Sequence, residues 1–147
     1  MTLNYYSPLR LIRALAPGMR ERRDGHIINV ATWGVMNESS PLFAVYNASK
    51  AALSAVSRVI ETEWAAYGVH STTLYYPLVK TPMIAPTRAY DGLPGLSAAE
   101  AADWRVTAAR TRPVQIAPRM AVTAKALNSV LPGVVDAMIK RQRVQPD

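Results

Sequence analysis

His26-Ile-Ile-Asn-Val-Ala-Thr32 is a short stretch that is rich in β-branched residues and nearly continuously apolar. Such a run is typical of a strand that is buried on both faces, as the strands of a parallel sheet are. Apolar residues recur at helical spacing before it, from Tyr5 to about Arg22, and after it, from about Phe43 to Tyr67. Pro17-Gly18 is expected to kink the first helix near its end. A strand between two helices predicts an α/β layer.

A second strand is predicted after the second helix. Gly68 stands where a C-cap glycine is expected, and Val69 to Tyr75 has the composition of a strand. Pro77 through Leu96 contains further prolines and glycines, which predict an irregular excursion. Excursions of this length often serve as lids over functional sites.

The last third of the chain continues the alternation of helices and strands. Ser97-Ala-Ala-Glu100 matches a capping box, which predicts a helix from there to about Arg110. Val114 to Ala117 indicates a short third strand, and Met120 to Lys140 is predicted to be helical with a break at Pro132-Gly133. The order of elements predicts right-handed crossovers and a parallel sheet of about three strands with flanking helices.

The composition limits the possible functions. A chain of 147 residues with 50% hydrophobic content is expected to form one domain, 1–147, with its own core. It has no cysteine, and its two histidines, His26 and His70, are isolated, so we predict neither a disulfide nor a metal site. The net charge of +7 suggests nucleic acid, but the basic residues do not cluster with interleaved aromatics. We therefore predict no nucleic-acid site.

Nothing in the sequence predicts a membrane segment. No run approaches the roughly 18 apolar residues that span a bilayer, and the first residues do not form a signal peptide. We expect a cytoplasmic protein whose partner is a small-molecule or lipid-like carbonyl or alcohol substrate.

Tyr46-Asn-Ala-Ser-Lys50 lies near the start of the second predicted helix. At a spacing of i,i+4 the phenol and the ammonium share one face of a helix. A neighbouring cation favours the phenolate, which would lower the pKa of the phenol toward neutral pH and make it a useful proton donor. The alternative is a surface tyrosine beside a solvated lysine.

A second pair of the same spacing, Tyr76-Pro-Leu-Val-Lys80, is discarded. Pro77 and the strand context make it unsuitable for a shared helix face.

Three segments together resemble the C-terminal half of the short-chain dehydrogenase/reductases. They are, in order, Gly25-His-Ile-Ile-Asn-Val-Ala-Thr32, Tyr46-Asn-Ala-Ser-Lys50-Ala-Ala-Leu53 and Tyr76-Pro-Leu-Val-Lys-Thr-Pro-Met83. The resemblance implies part of a doubly wound, Rossmann-like fold. It also implies NADP or NAD as cofactor, with NADP favoured, and hydride transfer between nicotinamide and a carbonyl or alcohol carbon.

The resemblance also implies a role for each residue of the motif. Tyr46 would be the acid or base, and Lys50 would lower its pKa and hold the nicotinamide ribose. Thr32 falls where the family usually has a serine hydroxyl that polarises the carbonyl, with one residue more than usual between it and the tyrosine. Ser39 and Ser40 are therefore fallback candidates for this hydroxyl.

Further positions match more loosely. Asn4 corresponds to an asparagine that supports a water-linked proton relay behind the lysine, or it is simply a helix N-cap. Pro77, Val79 and Thr81 match a segment that contacts nicotinamide, or they form a Pro-rich turn. The segment around Thr32 together with residues 74–87 most resembles the branch that reduces fatty acyl-CoA or long-chain carbonyl substrates with NADPH.

The glycine-rich turn that holds the diphosphate of a dinucleotide is missing from the sequence. The glycines never cluster, and by the resemblance the N-terminal, nucleotide-binding half of the family's domain is absent. The strand that begins at His26 would then expose an edge. We expect the apolar helix from Phe43 to Tyr67 to form a homo-oligomer, and the alternative to an enzyme is a truncated, non-catalytic half that at most dimerises.

Overall fold

The computed structural model describes residues 1–36, 40–84, 86–87 and 90–141. Within these residues the chain forms five α-helices around a three-stranded sheet and a separate two-stranded pair. The helices are α1 (Ser7–Glu21), α2 (Ala44–Trp64), α3 (Ala98–Thr111), α4 (Arg119–Val130) and α5 (Pro132–Arg141). The strands are β1 (Gly25–Thr32), β2 (Val69–Tyr76), β3 (Val79–Lys80), β4 (Leu96–Ser97) and β5 (Gln115–Ile116).

The larger sheet is parallel and has the order β1-β2-β5. β1 and β2 pair over their whole length, from Gly25 opposite Val69 to Thr32 opposite Tyr76. α2 makes the crossover between them. The predicted α/β architecture with three parallel strands is thus confirmed, although β5 is only two residues long and shorter than the predicted strand.

The core is made where helices cover the sheet. On one side Leu74 and Tyr76 of β2 pack with Ala101 and Ala108 of α3, and Trp104 stacks on the Tyr76 ring at 5.4 Å. α2 contributes buried residues to the remainder of the interior, which are Ser49, Leu53, Ser54, Ser57 and Ile60. These buried residues hold α2 in a fixed position against the sheet.

Two Pro-Gly pairs that the sequence analysis singled out lie in or beside helices. α1 runs through Pro17-Gly18 to Glu21 without ending, because Pro17 lies on an exposed face where water can satisfy the carbonyl it leaves free. The C-terminal break falls at Leu131, and Pro132 begins α5 instead of lying in the break. A proline disfavours helical geometry in the residue before it and suits the first position of a helix.

The Pro77–Leu96 excursion is more ordered than predicted at its two ends. Val79 and Lys80 pair in parallel with Leu96 and Ser97. The capping box is confirmed, since Ser97 Oγ accepts from the Glu100 backbone N–H at 3.2 Å and Glu100 Oε2 accepts from the Ser97 N–H at 2.7 Å. The excursion is therefore tied at its base to the start of α3.

Gly68 closes the α2 segment as predicted. Its φ of +75° lies in the left-handed region, and a Cβ there would lie 2.0 Å from the Arg23 carbonyl oxygen. Among the described helices, none is both long and apolar enough to cross a membrane.

Candidate active site

The candidate site lies at the carboxyl edge of the sheet. Thr32 ends β1 directly opposite Tyr76, which ends β2, and α2 begins at Ala44 after the connecting segment. In open α/β sheets, ligands bind in the crevice outside the carboxyl ends of the strands. The fold therefore brings Thr32, the first turn of α2 and the segment after Tyr76 to one place.

Tyr46 presents its phenol ring at this edge and is 42% exposed. The Phe43 ring meets it edge-on, with the ring centroids 6.2 Å apart. Burial raises the pKa of the Tyr46 phenol above its usual value, a side-chain hydrogen bond with Thr32 opposes this rise, and the nearby Tyr90 adds to it. The raised pKa keeps the phenol protonated at neutral pH.

Lys50 lies one helical turn after Tyr46, but its ammonium is directed to the backbone. Its Nζ donates to the Val30 carbonyl oxygen at 2.9 Å and lies 6.0 Å from the centroid of the Tyr46 ring. Burial lowers the pKa of Lys50. The expected lowering of the Tyr46 pKa by this cation is wrong for the structure as it stands, because burial dominates the phenol and the ammonium is engaged by Val30.

Asn4 is connected to the α2 helix through a serine. Asn4 Nδ2 donates to Ser49 Oγ at 3.2 Å, and Ser49 Oγ donates to the Tyr46 carbonyl oxygen at 2.7 Å. Asn4 lies within the π-helical turn Thr2–Tyr6, where it caps no helix, so the N-cap alternative is wrong. Sequence reasoning missed Ser49, although its place beside Lys50 and three residues after Tyr46 put it on the inner face of the helix.

The structure favours Thr32 over its fallback among the candidate hydroxyls. The Thr32 side chain is close enough to the Tyr46 phenol to lower its pKa, whereas Ser40 packs beside Gly34, where an added Cβ would lie 2.9 Å from Ser40 Oγ and 3.2 Å from Asn47 Oδ1. Ser39 lies outside the described residues.

Pro77, Val79 and Thr81 follow β2 at the same edge and are half-buried. The Tyr90 phenol, which sequence reasoning did not select, lies near Tyr46 and adds to its raised pKa. Phe43 and Tyr90 thus extend the predicted set with aromatic surface around the phenol.

A groove of about 530 Å³ lies behind Lys50, between α1 and β1. Its wall is mostly apolar, and its polar members are Asn4, Ser7, His26, Asn29 and Lys50. Asn29 is only 6% exposed, and among the described residues its Nδ2 has no hydrogen-bond partner. A buried amide without a partner is rare in a complete fold.

The residues present suit one end of a dinucleotide. An ammonium has three donor hydrogens, and in the described part of the chain Lys50 uses one, which leaves two for ribose hydroxyls beside the Tyr46 phenol. No cluster of glycines is available to approach a diphosphate, because the seven glycines of the sequence are scattered. The described residues thus include donors that suit a ribose, and the sequence has no glycine cluster that suits a diphosphate.

Comparisons with known proteins agree with this geometry. The short chain dehydrogenase family matches residues 1–92. A fatty acyl-CoA reductase of Mycobacterium tuberculosis is 75% identical over 145 residues, which are 99% of this chain and 49% of that protein. A fatty acyl-CoA reductase of Acinetobacter baylyi is 42% identical over 91% of this chain and 45% of its own length. The chain spans about half the length of these curated relatives.

Solved structures show the same fold. A short-chain dehydrogenase from Streptomyces avermitilis matches with a TM-score of 0.72 and 28% identity, over 95% of this chain and 60% of that one. One from Burkholderia cenocepacia, in complex with NADP, matches with a TM-score of 0.75 and 22% identity, over 93% of this chain and 56% of that one.

Proposed function

Because the chain belongs to the short-chain dehydrogenase family, a family of oxidoreductases, we propose that it carries the proton-transfer half of an NADP-dependent carbonyl reductase. The observation that carries the proposal is the convergence of Tyr46, Lys50 and Thr32 at the carboxyl edge of the sheet. The proposed cofactor is NADP or NAD, with NADP favoured, since two solved structures of the same fold are complexes with NADP or NADPH and another is a complex with NADH.

Each residue of the triad has a distinct task in this proposal. The Thr32 hydroxyl binds the substrate carbonyl oxygen and holds it beside the Tyr46 phenol. Tyr46 Oη gives its proton to that oxygen, and Lys50 binds the ribose hydroxyls and favours the phenolate that remains. The nicotinamide ring, when bound, supplies the hydride for the carbonyl carbon.

Asn4 and Ser49 complete the proposed site from behind. Their hydrogen bonds link the N-terminal turn to the backbone of Tyr46, so they position the first turn of α2. In this arrangement Asn4 supports the groove side of Lys50, where water can return a proton to the phenol. Pro77, Val79 and Thr81 form the wall against the nicotinamide ring.

We propose a long-chain acyl or carbonyl compound as the substrate. Two relatives that align with more than nine tenths of this chain are named fatty acyl-CoA reductases. Phe43 lies beside Tyr46 and is exposed, and Leu42, just before α2, and Met83, after β3, are exposed apolar residues as well. An alkyl chain could lie on this surface while its carbonyl meets the phenol.

The test uses a joined chain, in which the part of the Mycobacterium tuberculosis reductase that this chain does not match precedes Met1. We expect this joined chain to oxidise NADPH when hexadecanoyl-CoA or hexadecanal is added, and to lose that activity in the Tyr46→Phe variant. A folded joined chain that binds NADPH but reduces neither substrate would refute the proposed substrate class. One that binds no NADPH would refute the proposed function.

A second candidate is a non-catalytic half that associates with a second copy. The exposed apolar surface on α2, with Val45 at 77% and Val59 at 50% exposure, favours it. Sedimentation at micromolar concentration should then show a dimer that Val59→Glu disrupts, and a clean monomer would count against it.

A further inference from the structure

The helices α4 and α5 form a hairpin that is set apart from the sheet. Within the described residues they pack mainly against each other and make few contacts with the other helices and strands. The chain turns between them at Leu131, whose N–H donates to the Leu127 carbonyl at 2.8 Å and whose carbonyl accepts from the Val134 N–H at 3.1 Å. The hairpin also lies after residues 1–92, which match the family. The part of the chain that the family shares therefore does not explain it.

The hairpin buries small side chains and exposes large ones. On α4 the inward face consists of Ala121, which is fully buried, and of the half-buried Ala124 and Asn128. A helix that packs in water has the opposite arrangement, with its large apolar residues inside. The exposed apolar residues of the hairpin include Met120, Leu127, Val130, Leu131, Val134 and Met138. Its outer surface is thus suited to an apolar environment.

Four of these exposed residues lie together at the tip of the hairpin. Val130 and Leu131 are adjacent at the turn and are 74% and 50% exposed. Val134 and Met138 lie one helical turn apart on the same face of α5 and are 47% and 58% exposed. We call these four residues the tip patch. Apolar residues exposed side by side mark a surface that binds a protein or a membrane.

The charge of the hairpin indicates which partner it fits. Residues 119–141 contain four basic residues, Arg119, Lys125, Lys140 and Arg141, and one acidic residue, Asp136, so their net charge is +3. Two copies of the hairpin in contact would bring like charges together, which disfavours a second copy as the partner. A lipid surface with anionic headgroups complements both properties, because its acyl chains accept apolar side chains and its headgroups attract cations.

We propose that the α4–α5 hairpin docks on an anionic lipid surface, with the tip patch among the acyl chains and Lys125 and Lys140 at the headgroups. The hairpin lies in the surface and does not cross it, because none of the described helices is long and apolar enough to span a membrane. The inference does not rest on the proposed function. If both hold, docking keeps the candidate active site close to long-chain substrates that dissolve in membranes.

Flotation with lipid vesicles tests the docking. One set of vesicles is made of phosphatidylcholine alone, and the other contains about one third phosphatidylglycerol, which is anionic. We expect this chain to bind the anionic vesicles about tenfold or more tightly than the neutral ones. The difference should shrink as salt is added, because salt screens the attraction between the cations and the headgroups.

Paired valine variants separate the tip patch from general apolar adhesion. Val130→Glu together with Val134→Glu puts charge into the tip patch and should weaken binding to anionic vesicles about tenfold or more. Val45→Glu together with Val106→Glu is the matched control, since these valines on α2 and α3 are 77% and 46% exposed and the net charge changes equally. The control pair should bind within about twofold of the wild type, and circular dichroism checks that both variants fold.

Charge reversal tests the electrostatic part. Lys125→Glu together with Lys140→Glu should remove most of the preference for anionic vesicles. Arg10→Glu together with Arg13→Glu makes the same change in net charge at exposed positions of α1 and should leave most of that preference intact.

Three results would overturn the proposal. The first is a chain that binds neither kind of vesicle, and the second is equal binding by the hairpin variants and their controls. The third is a joined chain that does not bind vesicles although this chain does, which would show that the added half covers the hairpin. A dimer that the Val130 and Val134 variant converts to a monomer, without any vesicle binding, would instead make the tip patch an interface between copies. None of these measurements uses cofactor or turnover, so their failure leaves the proposed function untouched, and an inactive joined chain leaves the docking untouched.

Discussion

Tyr46–Lys50 and Tyr76–Lys80 have the same spacing in sequence and opposite placements in the structure. Tyr46 and Lys50 lie on one helix at the mouth of the sheet, with the ammonium 6.0 Å from the ring. Tyr76 is a buried strand residue whose hydroxyl donates to the Ala101 carbonyl, and Lys80 lies exposed on β3. A tyrosine and a lysine four residues apart come close together only in a helix, where positions i and i+4 lie about one turn apart on the same face.

The pairs also differ in what burial does to the phenol. Burial raises the pKa of both tyrosines, but Tyr76 is enclosed by Trp104 and α3, whereas Tyr46 stands 42% exposed. The Tyr76 phenol is a structural hydrogen-bond donor, whereas the Tyr46 phenol is available to a ligand. The exposure of the phenol, more than its pKa, distinguishes the Tyr46–Lys50 pair from the Tyr76–Lys80 pair.

The largest expected effect comes from removing the accessible phenol. Tyr46→Phe in the joined chain should lower kcat about 10²- to 10⁴-fold, because the proposed site then loses its general acid. Steady-state NADPH oxidation measures this. Tyr76→Phe is the matched control and should leave kcat of the folded protein nearly unchanged, so equal losses in the two variants would break the distinction.

Substitutions of the two lysines should also differ in their effect on the kinetic constants. Lys50→Met in the joined chain is expected to raise KM for NADPH and to lower kcat, each by about tenfold or more, since the ribose contact and the stabilisation of the phenolate are both lost. Lys80→Met carries the same charge change on an exposed strand and should alter neither constant. A similar KM for both variants would show that Lys50 does not contact the cofactor.

For stability we expect the opposite ranking of the two tyrosines, with the larger effect at Tyr76. Tyr76→Phe leaves the Tyr76–Ala101 hydrogen bond unmade and is expected to lower the free energy of unfolding by about 1 kcal/mol. Tyr46→Phe, at an exposed position, should change it by less than about 0.5 kcal/mol. Urea unfolding of this chain measures both, and a larger loss for Tyr46→Phe would contradict the assignment of Tyr76 as the structural member.

The smallest effect is a pH dependence. Because the folded state raises the pKa of Tyr46 above 10.0, it holds the phenol proton more tightly than the unfolded chain does. The associated stability is present below pH 10.0 and is lost as the pH rises through the folded-state pKa. From pH 9 upward, the urea midpoint of unfolding should thus fall more steeply in the wild type than in Tyr46→Phe. Parallel pH curves for the two proteins would contradict the raised pKa of Tyr46.

Much of this arrangement follows from local sequence. The apolar, β-branched run at β1, the periodic α2 and the capping box at Ser97 each satisfy one local rule, so the sheet and the position of Tyr46 could be predicted. The order of the elements then placed Thr32 and Pro77 at the same edge, because parallel strands share their carboxyl ends.

What escaped prediction depends on partners distant in sequence or on the backbone. The β3–β4 pair joins two-residue segments too short to have a pattern. Lys50 binds a carbonyl of Val30, and a backbone carbonyl leaves no trace in the residue type. The pKa of Tyr46 is raised by burial, and how deeply the phenol is buried depends on the packing of the folded chain.

The pairing of Lys80 with Ser97 has a consequence for how this protein could diversify. Because the two ends of the excursion are held together and Ser97 also caps α3, the segment between them is a closed loop on a fixed base. Doubling the length of such a loop costs only about 0.6 kcal/mol in closure entropy. Insertions and deletions between residues 81 and 95 can therefore be accommodated without disturbing the sheet, and under the proposed function they would offer a way to vary substrate choice at little cost to the fold.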